Sequence, residues 1–308
     1  MNMNVAVYVE NNTLFDQLKA AADSTNLLLH MNPGYSDYKD QIVVCDVASL
    51  ESNSHLKEHK KGLLYVLSHN DDEANMLLIE KYKLHHLVGL NENVFAHETI
   101  AHIVKQKDKH LWGLQPYMEK DAELKVLSLS DSKFTNEMIQ EALGHFDFQD
   151  YFTSPLEYIQ VMANELISNS LYKGPNRKRQ EQGLDSFDRK SPVFLKGSDL
   201  VQVTLSMDTK GVALSVQDSF GGLTYDLLIS TLMRSFKEKT AMDKKDGAGL
   251  GLYLTYLHSN QFIINFREKF RTEVICIIER NKRYKNYKQR IRSFHFFQEV
   301  ASEKTNNK

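Results

Sequence analysis

The chain has 308 residues, of which 42% are hydrophobic and 25% are charged, and its formal net charge is −2. This length favours two domains, and the near-neutral charge provides no global attraction to nucleic acid or to anionic lipid. The longest apolar runs, 63–67 and 274–278, are far shorter than the roughly 18 residues that a membrane span needs, so we expect a cytoplasmic protein.

The first hundred residues alternate short apolar runs, which predict strands, with amphipathic segments, which predict helices. Continuous apolar strands separated by helices are typical of a parallel, doubly wound sheet. Five such strands predict an α/β domain with a flavodoxin-like strand order and with any site at the carboxyl ends of the strands. The predicted strands are 4–9, 26–31, 40–47, 62–68 and 84–90, and the predicted helices are 13–23, 71–83 and 97–106.

A second unit follows a polar stretch and places helices before a mostly antiparallel sheet, which predicts a two-layer α/β sandwich. The sequence thus predicts a first domain at 1–108, a linker at 109–121, a second domain at 122–280 and a tail at 281–308. The strands predicted for the second domain are 124–129, 200–207, 211–218, 260–266 and 272–279, and the helices are 135–146 and 155–173.

Three glycines, Gly247, Gly249 and Gly251, stand directly before an apolar run that predicts a helix. The spacing departs from the dinucleotide-binding fingerprint, which needs glycine at the position of Leu252, and the Gly-Lys-Ser/Thr of a P-loop does not occur there. A glycine run that opens a helix offers unpaired N–H groups and a positive dipole end to an anion. A flexible lid and a simple turn are the alternative interpretations.

Two further segments carry polar residues at suggestive spacing. Glu165, Asn169 and Lys173 are four residues apart and share one face of the predicted helix. By itself this spacing is also typical of a solvated face with an acid–base pair. Asp218 ends an apolar strand and is followed by the glycines at 221 and 222, a pattern that is also typical of an ordinary strand-to-turn junction.

In this order, the motifs resemble the ATPase module shared by histidine kinases, DNA gyrase, heat-shock chaperone ATPases and mismatch-repair ATPases. Glu-x-x-x-Asn-x-x-x-Lys-Gly (165–174) is similar to the family's N box, Asp-x-x-x-Gly (218–222) to its first glycine box, and Gly-x-Gly-Leu-Gly-Leu (247–252) to its second. A threonine that opens the last strand, Thr272, is similar to the closing strand of the family. The resemblance covers about 122–280 and implies a two-layer α/β sandwich of the histidine-kinase ATPase type.

Within that superfamily the chain most resembles the anti-sigma-factor serine kinases. Their N box carries a basic residue four positions after the asparagine and then a glycine, as Lys173 and Gly174 do after Asn169. The predicted strand and helix at 124–146 also resemble the serine-kinase layout. A histidine kinase would have a helical hairpin there, with a phosphoacceptor histidine before it.

The segment 96–102 superficially resembles a phosphoacceptor box, but the predicted strand 124–129 interrupts the hairpin that such a box requires. We therefore expect His97 to be a surface residue of a helix. His97-Glu98-x-x-x-His102 is also one residue longer than the zinc motif that places two imidazoles on one helix face.

The resemblance implies ATP and Mg²⁺ as cofactors. Mg²⁺ prefers hard oxygen ligands and keeps several waters, and the carbonyl oxygen of Asn169 fits that need. Glu165, one turn earlier, is the implied catalytic base that takes a proton from the attacking hydroxyl or water. Lys173 is implied beside the phosphates as a point charge.

The first glycine box and the closing strand imply the adenine end of the site. The resemblance assigns Asp218 to the exocyclic amine of adenine, Gly222 to a close approach of the ring to the backbone, and Thr272 to the nucleotide site. The residues implied for the lid and for the start of the phosphate-binding helix are Gly247, Gly249, Leu250 and Gly251.

The chain departs from the family at two places. The first glycine box normally has glycine two positions after the aspartate, where this chain has Phe220, and this change would reshape the adenine pocket. The polar insert 174–197 is longer than the family usually has. Its basic residues reach the phosphates or a partner in one interpretation, and form a disordered loop in the other.

The first domain resembles a response-regulator receiver with an incomplete site. Asp46 ends the third strand at the position of the phosphoacceptor, and Ser68 ends the fourth. The acidic pair after the first strand is reduced to Glu10 followed by Asn11, and Asn91 stands where the lysine is expected. A pseudo-receiver is therefore favoured over a working one, and Asp46 as a plain strand-end cap is the alternative.

The stretch 280–297 is basic with interleaved aromatic residues. This composition occurs in segments that bind nucleic acid or anionic lipid. We favour the other interpretation, in which a terminal helix docks its phenylalanines on one of the domains and leaves its basic face in water.

These resemblances predict an ATP-binding signalling protein, a serine- or histidine-kinase-like protein kinase that transfers the γ-phosphoryl group to Ser or Thr of a partner. The alternatives are a non-catalytic ATP-binding regulator that sequesters its partner, and a receiver-controlled phosphorelay component. The expected partner is a signalling protein similar to an anti-sigma antagonist or to a sigma factor. A homodimer is compatible with the pattern, whereas binding to membranes or nucleic acid is not expected.

Overall fold

Eleven strands hydrogen-bond into one mixed sheet in the computed structural model, which describes residues 2–91, 94–131, 135–149, 151, 155–181, 183–185, 193–239 and 250–299. The order across the sheet is β2-β1-β3-β4-β5-β11-β9-β10-β8-β7-β6. The strands are β1 (Met3–Tyr8), β2 (Leu27–Met31), β3 (Ile42–Asp46), β4 (Leu64–Ser68), β5 (His86–Gly89), β6 (Glu123–Leu129), β7 (Val201–Met207), β8 (Gly211–Asp218), β9 (Gln261–Arg267), β10 (Arg271–Glu279) and β11 (Ser293–Gln298).

The helices cover both faces of this sheet, so the mixed α/β class predicted from the sequence is confirmed. They are α1 (Asn12–Ala22), α2 (Val47–Ser52), α3 (Ser54–Glu58), α4 (Asp72–Tyr82), α5 (Phe95–Asp108), α6 (Thr135–Leu143), α7 (Pro155–Ser168), α8 (Gly174–Glu181), α9 (Tyr225–Lys239), α10 (Leu250–His258) and α11 (Tyr284–Gln289). No helix among the described residues is long and apolar enough to cross a membrane.

The first five strands of the chain pair in parallel, in the spatial order β2-β1-β3-β4-β5. They are apolar on both faces because helices cover both sides. Residues such as Val5 and Val7 face α1 and α5, whereas Ala6 and Val43 belong to the core under α2, α3 and α4. The carboxyl ends of β3, β4 and β5 therefore meet at one edge of the sheet.

The strands β9, β10, β8, β7 and β6 form an antiparallel sheet. The helices α6, α7, α9 and α10 pack on the face that also carries α2 to α4, and one continuous core lies beneath all of them. On the opposite face, Leu111 and Leu114 pack on Ile263 and Ile275. Part of the stretch predicted as a linker therefore covers the sheet.

The strand β11 joins the two halves. It runs antiparallel to β5, where His295 faces His86, and parallel to β9. Phe294 and Phe296 are fully buried in the core shared by both halves, and Phe297 packs on the other face.

The prediction of a terminal helix that carries these phenylalanines is wrong. Within the described part of the tail, a helix is present only over Tyr284–Gln289, and the phenylalanines that follow form a central strand. A run that is apolar on both faces fits a strand with neighbours on both sides and covered faces.

All ten strands predicted from the sequence are present, each with bounds within two residues of the prediction. The helix predicted at 155–173 is α-helical only to Ser168 and continues as a π-helical turn over Asn169–Lys173. The boundaries of the predicted domains stay predictions, because one sheet runs through both halves.

Candidate functional site

A cavity of about 610 Å³ opens between α7, α8, α9 and the strands β8 and β10. This volume lies within the range of small-molecule sites, about 300–1,000 Å³. The described residues that the sequence motifs predicted for the site and that line this cavity are Asn169, Lys173, Asp218, Gly222 and Thr272. Residues separated by up to a hundred positions are thus brought to one place by the packing of α7 on the antiparallel sheet.

The π-helical turn brings the N-box residues to the cavity. The α-helix α7 widens at Asn169, and the turn ends at Lys173. Turns of this kind are rare and are frequently found at functional sites. Asn169 is partly buried on the cavity wall, whereas Lys173 is exposed at its rim.

The N box and the second glycine box touch each other through Glu165 and Gly251. A Cβ atom on Gly251 would lie 1.7 Å from Oε2 of Glu165, so the first turn of α10 packs directly on this carboxylate and requires glycine. Glu165 thus lies one helical turn before Asn169 and outside the cavity lining. Leu250 is exposed at the start of α10, and Gly247 and Gly249 lie outside the described residues.

Asp218 ends β8 at the floor of the cavity. Its Oδ1 accepts a hydrogen bond from the backbone N–H of Phe220 at 2.9 Å, and its Oδ2 accepts one from the hydroxyl of Ser170 at 3.4 Å. The backbone N–H groups of Gly221 and Thr272 also bond to this carboxylate, and burial under the cavity walls outweighs all of these bonds and raises the pKa of Asp218 to about 6. The group is therefore mostly ionised at neutral pH, which makes it an acceptor at the floor of the cavity.

Thr272 lies opposite Asp218 in the register of β8 and β10. It is 4% exposed and lines the cavity, yet its hydroxyl oxygen has no hydrogen-bond partner among the described residues. A buried polar atom without a partner costs about 1–3 kcal/mol, and such atoms usually bind a ligand or an ordered water. Asp218 therefore provides a hydrogen-bond acceptor and Thr272 a hydroxyl for the polar atoms of a ligand.

The turn after β8 contains Phe220, which stands where the first glycine box of the family has a glycine. Gly221 adopts φ +56, and a Cβ atom there would lie 2.2 Å from the backbone oxygen of Arg267, so this position requires glycine. The ring of Phe220 lies against Gly174, where a Cβ atom would come within 2.3 Å of it. The phenyl ring is thus directed toward α8, and the described cavity lining does not include it.

Two arginines add positive charge to the cavity wall. Arg177 of α8 donates a hydrogen bond from Nη1 to the backbone oxygen of Gly222 at 2.7 Å, and Arg234 of α9 also lines the cavity. The sequence interpretation raised the first, as part of the insert, and missed the second. With Lys173 they form a set of cations suited to phosphate oxygens.

The residues at the receiver-like edge are engaged by the backbone. Oδ1 of Asp46 accepts from the N–H of Ser49 at 2.7 Å, which caps α2, and Oδ2 accepts from the N–H of Glu10 at 2.9 Å. Asn91, at the expected lysine position, accepts from the N–H of Ile291 at 2.9 Å and donates to its carbonyl at 2.8 Å. This edge thus holds the segment that leads into β11.

A second polar cluster, absent from the sequence predictions, lies on the other face of the sheet. Glu98, His102 and His295 are buried together, whereas His97 is exposed, as expected. Burial raises the pKa of Glu98 to about 8 and holds the pKa of each histidine well below its usual value. The i, i+4 spacing of Glu98 and His102 is visible in the sequence, whereas the zinc motif considered for this helix pairs His97 with His102.

No family model matches the chain, and a search of curated proteins finds no similar sequence. These comparisons therefore do not identify a family. The resemblance to the histidine-kinase-like ATPases stays a prediction from the motifs. Its further support is geometric, since independent motifs meet at one cavity.

Proposed function

We propose that the cavity binds MgATP and that the chain is an ATP-dependent protein kinase of the histidine-kinase-like type. It transfers the γ-phosphoryl group to Ser or Thr of a signalling partner that is similar to an anti-sigma antagonist or to a sigma factor. The observation that carries the proposal is the convergence of residues from the N box, the first glycine box and the closing strand on a single cavity.

The adenine end of the site is proposed at Asp218 and Thr272. The carboxylate accepts from the exocyclic amine in a charge-assisted hydrogen bond, and the unpartnered threonine hydroxyl meets a ring nitrogen or a bridging water. The apolar residues that enclose this end are Leu166, Val216, Leu223, Leu252 and Val274. Such walls suit a flat aromatic ring, because they exclude water from its faces.

The phosphate end is proposed where cationic side chains line the cavity. Lys173, Arg177 and Arg234 supply positive charge there, and the carbonyl oxygen of Asn169 is an oxygen ligand suited to Mg²⁺. Glu165 takes the proton of the attacking Ser or Thr hydroxyl. The oxygen of that hydroxyl bonds to the γ-phosphorus while the bond between the γ-phosphorus and the β-phosphate oxygen breaks. ADP leaves with that electron pair.

The finer fold assignment is part of the same proposal. The parallel order β2-β1-β3-β4-β5 is that of flavodoxin-like folds, which supports a receiver-like module, and Asp46 ends its third strand. The antiparallel strands with α6, α7, α9 and α10 on one face are consistent with the two-layer sandwich of the histidine-kinase ATPases.

MgATP is expected to raise the melting temperature of the full-length protein. A ligand that binds only the folded state stabilises it by mass action, by about 2.7 kcal/mol at a hundred times its Kd. Differential scanning fluorimetry with MgATP, MgGTP and Mg²⁺ alone measures this effect, and the adenine nucleotide should give the largest shift. An unchanged melting temperature in millimolar MgATP would contradict the proposed site.

Adenosine affinity is expected to fall at acid pH. The folded pKa of Asp218 is about 6, raised from 3.8, so the carboxylate that accepts from the amine is lost as the pH falls through 6. Kd should be constant above about pH 7 and about tenfold weaker at pH 5. Calorimetric titration with adenosine measures this without the titration of phosphate groups. A flat profile in the wild-type protein would show that Asp218 does not bind the base.

Acetyl phosphate with Mg²⁺ is expected to leave Asp46 largely unmodified. Both carboxylate oxygens already accept backbone N–H groups, and Asn91 provides no cation for the nearly two negative charges of a phosphoryl group. Mass spectrometry of the full-length protein measures the modification. A substantial hydroxylamine-sensitive gain of one phosphoryl group, absent from Asp46→Asn, would reveal a working receiver.

A further inference from the structure

The buried cluster of Glu98, His102 and His295 lies on the sheet face opposite the proposed nucleotide cavity. Glu98 and His102 are one turn apart on α5, and His295 comes from β11, nearly two hundred residues later. Their exposed fractions are 7%, 0% and 0%. The cluster therefore stands where a helix of the parallel half meets the strand that joins both halves.

The spacing of these side chains fits a metal centre. One ligand atom from each residue can be chosen so that all three lie within 4.8 Å of one another. Nε2 of His295 lies 3.3 Å from Oε1 of Glu98. In a tetrahedral zinc site with bonds of about 2.0–2.1 Å, neighbouring ligand atoms are about 3.3–3.4 Å apart, so this pair already spans one edge.

His102 is poorly satisfied by hydrogen bonds within the protein. Neither of its ring nitrogens makes a well-formed hydrogen bond with a described residue, although the side chain is fully buried, and only a weak bond with the side chain of Gln261 contributes. Its ring stacks on His295 with centroids 3.7 Å apart and planes 29° apart, so one imidazole rotates when both direct a nitrogen at a shared ion. A fully buried imidazole that is bonded so poorly is unusual, and a bound ion is one explanation for such a group.

Neighbouring groups resemble the outer shell of a metal site. Nδ1 of His295 lies 3.3 Å from Nδ1 of His86. This contact orients the imidazole ring of His295 and leaves its other nitrogen, Nε2, facing Glu98. A neighbouring lysine, Lys105, is held by Asn265 at 2.9 Å and by the hydroxyl of Tyr117. Its ammonium group therefore does not fill the space between the three side chains.

A cavity adjoins the cluster on the same face. It has a volume of about 710 Å³ and is lined by Glu98 and His102, together with Tyr117 and Gln261. It leaves room beside the two α5 side chains for a water or another fourth ligand. Three protein ligands with one remaining position are the arrangement that zinc adopts at its open sites.

A metal-free cluster explains these observations less well. Glu98 and His295 are satisfied by their mutual hydrogen bond, but that arrangement leaves His102 without a well-formed hydrogen bond among the described residues. We propose that Glu98, His102 and His295 bind one Zn²⁺ ion, which fastens β11 to α5. Two imidazoles and a carboxylate form a ligand set that zinc commonly takes.

The test uses full-length protein without a polyhistidine tag, stripped with a chelator and then titrated with Zn²⁺ against a chromophoric competitor. One ion per chain is expected to bind. His102→Gln and Glu98→Gln should each weaken this binding more than about tenfold, since even outer-shell changes weaken metal binding tenfold or more. His97→Gln, on the exposed side of the same helix, should bind like the wild type.

Two further measurements keep the proposal falsifiable if a variant folds poorly. Co²⁺ in the stripped wild-type protein should give the visible bands of a tetrahedral site, and Zn²⁺ should raise its melting temperature with no nucleotide present. Glu98→Gln preserves the shape of the side chain and a group that can bond to His295. Absence of saturable binding by the wild type, or equal affinities in wild type and His102→Gln, would overturn the proposal.

Discussion

Glu165→Gln is expected to slow phosphoryl transfer by about 10²–10⁴-fold while MgATP binding survives. The amide keeps the size of the side chain but cannot take a proton from the attacking hydroxyl. Glu165 lies against Gly251 and outside the cavity lining, so its loss removes no contact that the proposed nucleotide position requires. Transfer of labelled phosphoryl from ATP to proteins of the source-cell lysate measures the rate, and calorimetry measures the affinity.

Glu157→Gln is the matched control for this experiment. Glu157 lies on the same helix, two turns earlier, and its side chain is exposed. The Glu157→Gln variant should transfer the phosphoryl group at the wild-type rate. Equal rates in the wild type and Glu165→Gln would place the base elsewhere, or would favour the rival in which bound ATP only shapes a docking surface for a sequestered partner.

Asp218→Asn is expected to weaken adenosine binding by about 10–100-fold, because a hydrogen bond to a charged group contributes about 1.5–3 kcal/mol. The N–H of Phe220 would hold the amide oxygen at the Oδ1 position. The amide NH₂ would then face the cavity and meet the amine of adenine donor to donor. Removing the buried charge stabilises the folded chain, whereas loss of the bonds that Oδ2 accepts destabilises it. A melting curve of the variant is therefore recorded as the control for folding.

Inosine is the matched ligand for this variant, because a carbonyl replaces the amine of adenine. The wild-type protein should prefer adenosine, and Asp218→Asn should lose or reverse that preference. Titration calorimetry with both nucleosides measures the two affinities. An unchanged ratio between the wild type and the variant would show that this carboxylate does not read the base edge.

Local patterns predicted much of the fold and part of the site. Continuous apolar runs identified ten strands because a strand covered on both faces has few polar residues. The cavity residues of the N box, the first glycine box and the closing strand were predicted because each motif places a particular type of side chain, or a glycine, at a fixed spacing. Gly251 was implied for the lid and for the start of the phosphate-binding helix, which stays a prediction, and the structure adds its close contact with Glu165.

The features that the sequence did not predict depend on contacts between distant residues. His295 becomes a candidate metal ligand only because β11 pairs with β5 and faces α5. Arg234 reaches the cavity because α9 packs beside that cavity, and none of the sequence motifs includes this helix. The π-helical turn at Asn169–Lys173 changes the helix geometry within the N box itself, and the spacing of polar residues alone does not reveal it.

The most direct measurement is a crystal structure of the full-length protein with Mg²⁺ and a non-hydrolysable ATP analogue. We expect the adenine amine within hydrogen-bond distance of Asp218, the metal on the side-chain oxygen of Asn169, and the phosphates among Lys173, Arg177 and Arg234. Nucleotide bound at another place, or a cavity without nucleotide at saturating concentration, would contradict the proposal that this cavity is an ATP site.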